Sequence, residues 1–387
     1  MRDERELELT LAFAVPLIAL YGFGSTRVEG CAARAKELSD QVADRGRRFA
    51  AHKVEWNSCL LRQPVPRTVA LARDLVDLAN GSGDSAQLAV AYRALGYSLF
   101  MAGELRQATD VLSRGTTLAD EIPDAKFAIY GEHPSMVCRV YDSQVRCLMG
   151  YPETSARLAE AAITHARSRN NPHSLAWALC SAGNTYWNQR EPGNAARLAT
   201  EALELSREHR LPQWLANAEV IKGWAMCRLG DPIDGLNLQE KGVLDWHATG
   251  AVLHTTQMRG RLAESFLLFG EPVSARPHLA AARAHCERYG ENYLRAELCY
   301  LEAMLSRSEG VSPEIVEQQV TKALGIAREQ QARLLELRST MMLAQLWAER
   351  GERQKACDLL APLYASFTEG FNTEDLRRAA ILCNQLG

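Results

Sequence analysis

The chain lacks most of the patterns that mark a reaction centre. Its 387 residues contain no G-x-x-x-x-G-K-S/T run to cradle a phosphate, no H-E-x-x-H and no pair of histidines spaced i, i+4. The histidines (among them His165, His173, His209, His247, His254, His278 and His285) are scattered over separate segments, so neither a metal nor a cofactor is expected. The ten cysteines stand singly, with no C-x-x-C. In a long chain this favours reduced, buried thiols over a disulfide framework. Cys138 and Cys147 have no histidine at a useful spacing, which removes them as nucleophiles. Gly22-x-Gly24 follows a helical pattern rather than a strand and reads as a turn, not a dinucleotide fingerprint. Acidic residues number 47 against 44 basic ones, a balance without the positive footprint that nucleic acid requires. The one tempting apolar run, Leu11 to Phe23, is too short for a bilayer, contains Pro16 and follows Asp3-Glu4-Arg5-Glu6. It predicts a buried first helix, no membrane partner and a cytoplasmic location.

What is present is a period. Short turns recur at Gly150-Tyr151-Pro152, Arg190-Glu191-Pro192, Gly230-Asp231-Pro232, Gly270-Glu271-Pro272, Glu309-Gly310 and Gly351-Glu352, a step of 40 or 41 residues. Seven residues before each turn stands a small side chain (Gly183, Gly223, Ala263, Ala303, Ala344), and five after it another (Ala195, Gly235, Ala275, Ala356). Small residues at both points let two antiparallel helices approach closely. Leu279 and Leu360, four positions further on, fill the groove between hairpins. This is how tetratricopeptide repeats are built, here about six residues longer than the usual 34.

The same step extends upstream through turns near residues 22, 63 and 103, with a second helix running to about Asp44 and Asp84 or Ser85 capping a later one. One interval is longer, 150 − 103 = 47, and the excess falls between Glu121 and Pro134. The expected fold is therefore all-α: a right-handed α-solenoid of about nine helical hairpins with a C-terminal capping helix. It forms a single superhelix over 1–387, with weaker repeats in 1–84, an inserted loop at 121–134, the most regular repeats at 150–351 and the cap at 372–386.

Several phrases go beyond generic repeat patterning: Tyr130-Gly131-Glu132-His133-Pro134, Leu148-Met149-Gly150-Tyr151-Pro152, Pro172-His173-Ser174-Leu175-Ala176, Leu211-Pro212-Gln213-Trp214-Leu215, Gly223-Trp224-Ala225, Glu336-Leu337-Arg338, and Ala361-Pro362-Leu363-Tyr364 followed by Phe367-Thr368-Glu369-Gly370-Phe371. Together they resemble the C-terminal tetratricopeptide region of bacterial adenylate/guanylate cyclase–ATPase and related transcriptional-regulator ATPase signalling proteins. In that family the repeats follow a cyclase or transcription-factor domain and a nucleotide-binding ATPase. Neither a phosphate loop nor a strand-rich cyclase core with paired metal-binding aspartates occurs here, so the resemblance implies only the sensor or scaffold portion. An upstream ATPase or cyclase module, in the same or a neighbouring chain, would be its partner.

Aromatics make up only 7% of the chain, yet five of the seven tryptophans fall between Trp177 and Trp246. In such repeats the first helix of each hairpin lines the concave groove. Counting from each small residue selects Arg93, Tyr97, Gln144, Trp177, Asn184, Trp187, Asn188, Asn217, Trp224, Arg228, Gln257, Glu264, Glu297, Tyr300, Arg307 and Arg338. Aromatic faces with amides and arginines suit an extended peptide, a protein segment or a small ligand; filling between helices is the alternative use of the tryptophans. The expected function is thus a non-enzymatic binding module. The alternatives are an oligomerisation scaffold, or an enzyme working through Glu132 and His133 of the insert.

Overall fold

A computed structural model describes residues 2–42 and 44–387, and every regular element among them is helical. Residues 1 and 43, which fall in the span assigned to the weaker repeats, lie outside the described residues. Nineteen α-helices pair into nine hairpins and a cap. The hairpins are α1 (Arg2–Tyr21) with α2 (Thr26–Ser39), α3 (Arg45–Cys59) with α4 (Val65–Ser82), and α5 (Ser85–Ala102) with α6 (Leu105–Asp120). Then come α7 (Pro134–Leu148) with α8 (Pro152–Arg167), α9 (Pro172–Asn188) with α10 (Pro192–Glu208), and α11 (Pro212–Leu229) with α12 (Pro232–Ala248). The last are α13 (Thr255–Leu268) with α14 (Pro272–Tyr289), α15 (Arg295–Ser308) with α16 (Pro313–Glu329), and α17 (Arg333–Glu349) with α18 (Arg353–Ala365); α19 (Glu374–Leu386) closes the chain. The right-handed α-solenoid expected from the period is the fold.

Local chemistry explains the boundaries. Proline opens eight helices, α7 to α12, α14 and α16, where its missing N–H would have had no partner in any case. Asp84 caps α5 by accepting from the N–H groups of Ala86 and Gln87. Asp44 caps α3 through Arg47 N–H, 2.8 Å away, so α2 ends at Ser39 rather than near Asp44. Gly223 shows why the crossing needs a small residue, since a Cβ there would meet Gly235 O at 2.5 Å.

The spacing suggests an open trough; the structure closes it. The tips of the first four hairpins dock about five units further along, so successive turns of the superhelix touch. Val252 N donates to Leu61 O (2.7 Å) and Asn292 N to Met101 O (2.8 Å). Phe23 N donates to the side chain of Gln213 (2.9 Å). Gly24 lies so close to the next turn that a Cβ would sit 2.4 Å from Ala251 N. Thr154 N–H and hydroxyl both donate to Glu369, and Gly370 N donates to Glu153. The physical reason is that tip backbone groups left over from the helix ends find partners across the superhelix instead of in water. One apolar cluster consequently runs from Ile18 to Leu335. Trp56, Trp177, Trp224 and Trp246 are fully enclosed; each removes on the order of 200 Å² from water, at most about 5 kcal/mol of transfer free energy.

Residues 121–133 carry two single 3-10 turns, Asp124–Lys126 and Ala128–Tyr130. They fold against the first two hairpins: Gly131 abuts Val15, and the Tyr130 ring meets Phe49 edge-on at 6.1 Å. This path sends the Glu132 carboxylate into the axis of the superhelix.

Candidate functional site

The first helices α3, α5, α7, α9, α11, α13, α15 and α17 supply the axis, which is an interior with three layers. At the N-terminal end, Glu132 receives Lys53 (3.0 Å) and Arg93 (2.8 Å). The Arg93 guanidinium also lies 4.7 Å over Trp56 and 5.3 Å over Trp177. Burial pulls the Lys53 amine down to about 8, Glu132 opposing it. Burial pushes the Glu132 carboxyl up, but Arg93 and Lys53 more than offset this and hold it below the usual range.

The middle layer is aromatic and amide-rich. Trp177 and Trp214 stack with centroids 5.3 Å apart, Phe23 meets Trp177 edge-on, and the Tyr97 hydroxyl lies 3.2 Å from His254 Nε2. Gln144, Asn184, Gln213 and Asn217 join Phe23, Trp177, Trp214 and His254 around a cavity of about 30 Å³, room for roughly two waters. Below it the Arg261 guanidinium stacks 4.0 Å over Trp187 and donates to Asn184 Oδ1 at 2.9 Å. Trp224 meets Trp187 edge-on at 6.4 Å. This layer holds many buried polar atoms without a hydrogen-bond partner: Nε1 of Trp187, Trp214 and Trp224, Nδ2 of Asn188, Nε2 of Gln257, Nε of Arg261, the Tyr293 hydroxyl and Oδ1 of Asn217. Nearly all are donors.

The C-terminal layer is ionic and paired. Arg338 binds Glu297 (3.1 Å) and Asp375 (2.8 Å) and donates to Asn188 O (2.5 Å). Arg190 pairs with Glu264 and lies 3.5 Å from Asp375. Arg228 pairs with Glu374. Asp375 and Glu374 belong to the first turn of α19, so the cap reaches across the axis and clasps α11, α17 and the turn between α9 and α10. Burial opposes ionisation of Asp375, yet Arg338 and Arg190 hold it below the usual carboxylate range. Arg190 has φ +58, at a turn position that glycine occupies at 103, 150, 230 and 270. An L-residue there costs roughly 1–2 kcal/mol, a cost offset by what its side chain does in the clasp.

The residues singled out from the sequence thus fall into these layers. Arg93 and Tyr97 lie toward the N-terminal end. Gln144, Trp177, Asn184, Trp187, Asn217, Trp224 and Gln257 lie in the middle, with Asn188 at its lower edge. Arg228, Glu264, Glu297, Tyr300 and Arg338 lie at the C-terminal end. Arg307 is exposed and pairs with Glu349 on the outer face. All but Arg228, Tyr300 and Arg307 are buried, so their present neighbours are other parts of the chain rather than solvent. Counting did not reach Lys53, Arg190, Arg261, Tyr293 or Asp375. Arg261 had a signal: it lies four residues after Gln257 and three before Glu264, on the same helical face. Asp375 had none, because its contacts span 37 residues and more.

Glu132 and His133 both line an outer cleft of about 550 Å³ beside the insert. Burial, with Arg169 and His165 nearby, pushes His133 down to about 4. With the Glu132 oxygens engaged by two cations, the pair is poorly suited to proton transfer at neutral pH. Among the described residues no three His, Cys, Asp or Glu side chains are grouped so as to hold a metal ion. None of the described helices is long and apolar enough to cross a membrane.

No family model matches the chain, and no curated protein matches it in sequence. Solved structures resemble it in fold. The Rap protein complexed with competence and sporulation factor superimposes with a TM-score of 0.56 at 14% identity, covering 99% of this chain and 96% of that one. The Rap conjugation gene regulator of plasmid pLS20, in complex with the Phr* peptide, gives 0.57 at 11% identity over 98% and 96%. NprR in complex with its cognate peptide NprX gives 0.54 at 12% identity over 87% and 99%. At these identities the likeness is one of fold: a tetratricopeptide-like superhelix running the length of the chain.

Proposed function

We propose that this chain is a non-enzymatic binding module that takes a short peptide into the axis of its superhelix. The observation that carries this reading is the middle layer. Buried donors without partners are rare in folded proteins because each forfeits about 1–3 kcal/mol, yet here seven of them, with the Asn217 Oδ1 acceptor beside them, cluster on one aromatic-lined axis. A peptide backbone offers the carbonyl groups they need, and the tryptophan faces hold its side chains. Two superhelices of similar fold are themselves solved with a peptide, which supports the choice of ligand class. The cavity of about 30 Å³ is too small for a peptide, so binding requires the turns of the superhelix to part. The tip-to-tip hydrogen bonds and the clasp on α19 are the contacts that would open.

Such a transition converts ligand binding into a change of pitch, because each hairpin touches few others. In keeping with the sequence resemblance, the module serves as sensor or scaffold of a bacterial ATPase- or cyclase-type signalling system, biasing a partner module upstream. The test is incubation of the purified chain with random hexapeptide pools, followed by size exclusion and mass spectrometry of retained peptides. Retention is expected in the unmodified chain and reduced at least tenfold in Asn217→Ala or Trp224→Phe. Absence of retained peptide, with a stable homo-oligomer in sedimentation, would replace this reading with that of an oligomerisation scaffold.

A further inference from the structure

Among the described residues the buried cations of this interior come with carboxylates, and Arg261 is the exception. Lys53 and Arg93 share Glu132, while Arg190 and Arg338 are set among Glu264, Glu297 and Asp375. Arg261 is 1% exposed, stacked on Trp187 and bound to one neutral acceptor, Asn184 Oδ1. Its Nε has no acceptor. Glu264, one turn along the same helix, is drawn away to Arg190. Glu291 lies in this part of the interior too, but its Oε2 accepts from Thr256 N (3.3 Å) rather than from Arg261, and its Oε1 has no partner.

An uncompensated buried charge is among the most costly features a folded chain can carry, and a guanidinium does not escape by losing its proton at neutral pH. Burial lowers Arg261 only to about 9. Glu264 acts on it only at a distance and no carboxylate among the described residues pairs with it, so an anion from outside the chain would supply the missing counter-charge. Beside Arg261 the Trp187 and Trp224 indoles, Asn188 Nδ2, Gln257 Nε2 and the Tyr293 hydroxyl also lack acceptors. A planar anion with several lone pairs matches both the charge and the excess of donors, and Asn184 connects this point to the cavity wall.

We infer that Arg261, with Asn184 and Trp187, forms the anchor for a carboxylate of the ligand. The inference rests on the peptide-binding reading above and deepens it by naming the group recognised. That carboxylate comes either from the chain terminus of the peptide or from an Asp or Glu side chain.

The experiment uses the full chain and four random hexapeptide pools, with Asp and Glu included or excluded, each with a free or an amidated C-terminus. The amidated pool without acidic residues should be retained at least tenfold less than the others. Enrichment that follows the free terminus assigns the backbone carboxylate, and enrichment that follows Asp and Glu assigns a side chain; either supports the anchor. In Arg261→Gln the preference should collapse, with all pools retained alike, and Arg261→Lys should keep part of it. Equal retention of the four pools by the unmodified chain overturns the anchor alone. Retention of none overturns the peptide-binding reading itself and the anchor with it. Melting without peptide is the second readout: Arg261→Met should melt at or above the unmodified chain, because it removes an unpaired buried charge. A clear drop would mark Arg261 as a structural residue and end the proposal.

Discussion

The middle and C-terminal layers of the axis are built from similar residues and treat charge in opposite ways. In the C-terminal layer the two buried guanidiniums, Arg190 and Arg338, meet three buried carboxylates, and one of these, Asp375, is brought from the far end of the chain by α19. In the middle layer one guanidinium, Arg261, pairs with none among the described residues, and indole and amide donors around it stay unpaired there. Pairing tells them apart: a closed network resists change, since removing one member leaves the others uncompensated, whereas an open one gains from a ligand. The first layer is thus suited to holding the superhelix shut and the second to receiving what opens it.

The largest effect should come from the clasp. Arg338→Ala removes the cation bound to both Glu297 and Asp375, leaving Arg190 at 3.9 and 3.5 Å, and should cost about 3–5 kcal/mol in urea unfolding. A loss below roughly 1 kcal/mol would mean that the clasp does not hold the closed form. Arg190 tests the same network against backbone strain. Arg190→Ala and Arg190→Gly both free Glu264, but glycine accepts the left-handed φ of +58, so it should be less destabilising than alanine by about 1 kcal/mol. Equal losses would show that the turn carries no strain.

The middle layer gives smaller numbers and a pH signature. Burial raises Glu291 to about 8, so between its ordinary carboxyl range and pH 8 the folded chain holds a proton that the unfolded chain has released. Stability from this group is therefore complete at low pH and is lost as pH rises to 8, on the order of 2 kcal/mol after relaxation. Glu291→Gln should flatten that fall in melting curves taken between pH 5 and 8. The smallest change in stability belongs to Asn217→Ala. Its Oδ1 has no partner, so truncation breaks no hydrogen bond at that oxygen and stability should move by about 1 kcal/mol or less while peptide retention drops. If stability fell with retention unchanged, the two layers would not differ in kind.

Much of the fold is legible in the sequence. The step of 40, the paired small residues and the prolines at helix starts are local signals, and local signals specify local structure. Gly223 against Gly235 and Asp84 at its cap behave as their spacing requires. The candidate groove residues lie on the first helices because helical periodicity decides which face turns inward. The identities of their neighbours were not legible. Nothing near Asp375 announces Arg338, and nothing near Phe23 announces Gln213, because those contacts depend on how far each hairpin rotates against the next.

A repeat period commits the backbone to stacked hairpins, since glycine, proline and small-residue chemistry act within a few residues of where they stand. It leaves the pitch open. Small rotations per hairpin, summed over about five units, decide whether the concave face is a solvent-filled trough or a packed axis. Here the tips of one turn reach the next, and this closure turned a row of groove residues into buried layers, paired Arg338 and isolated Arg261.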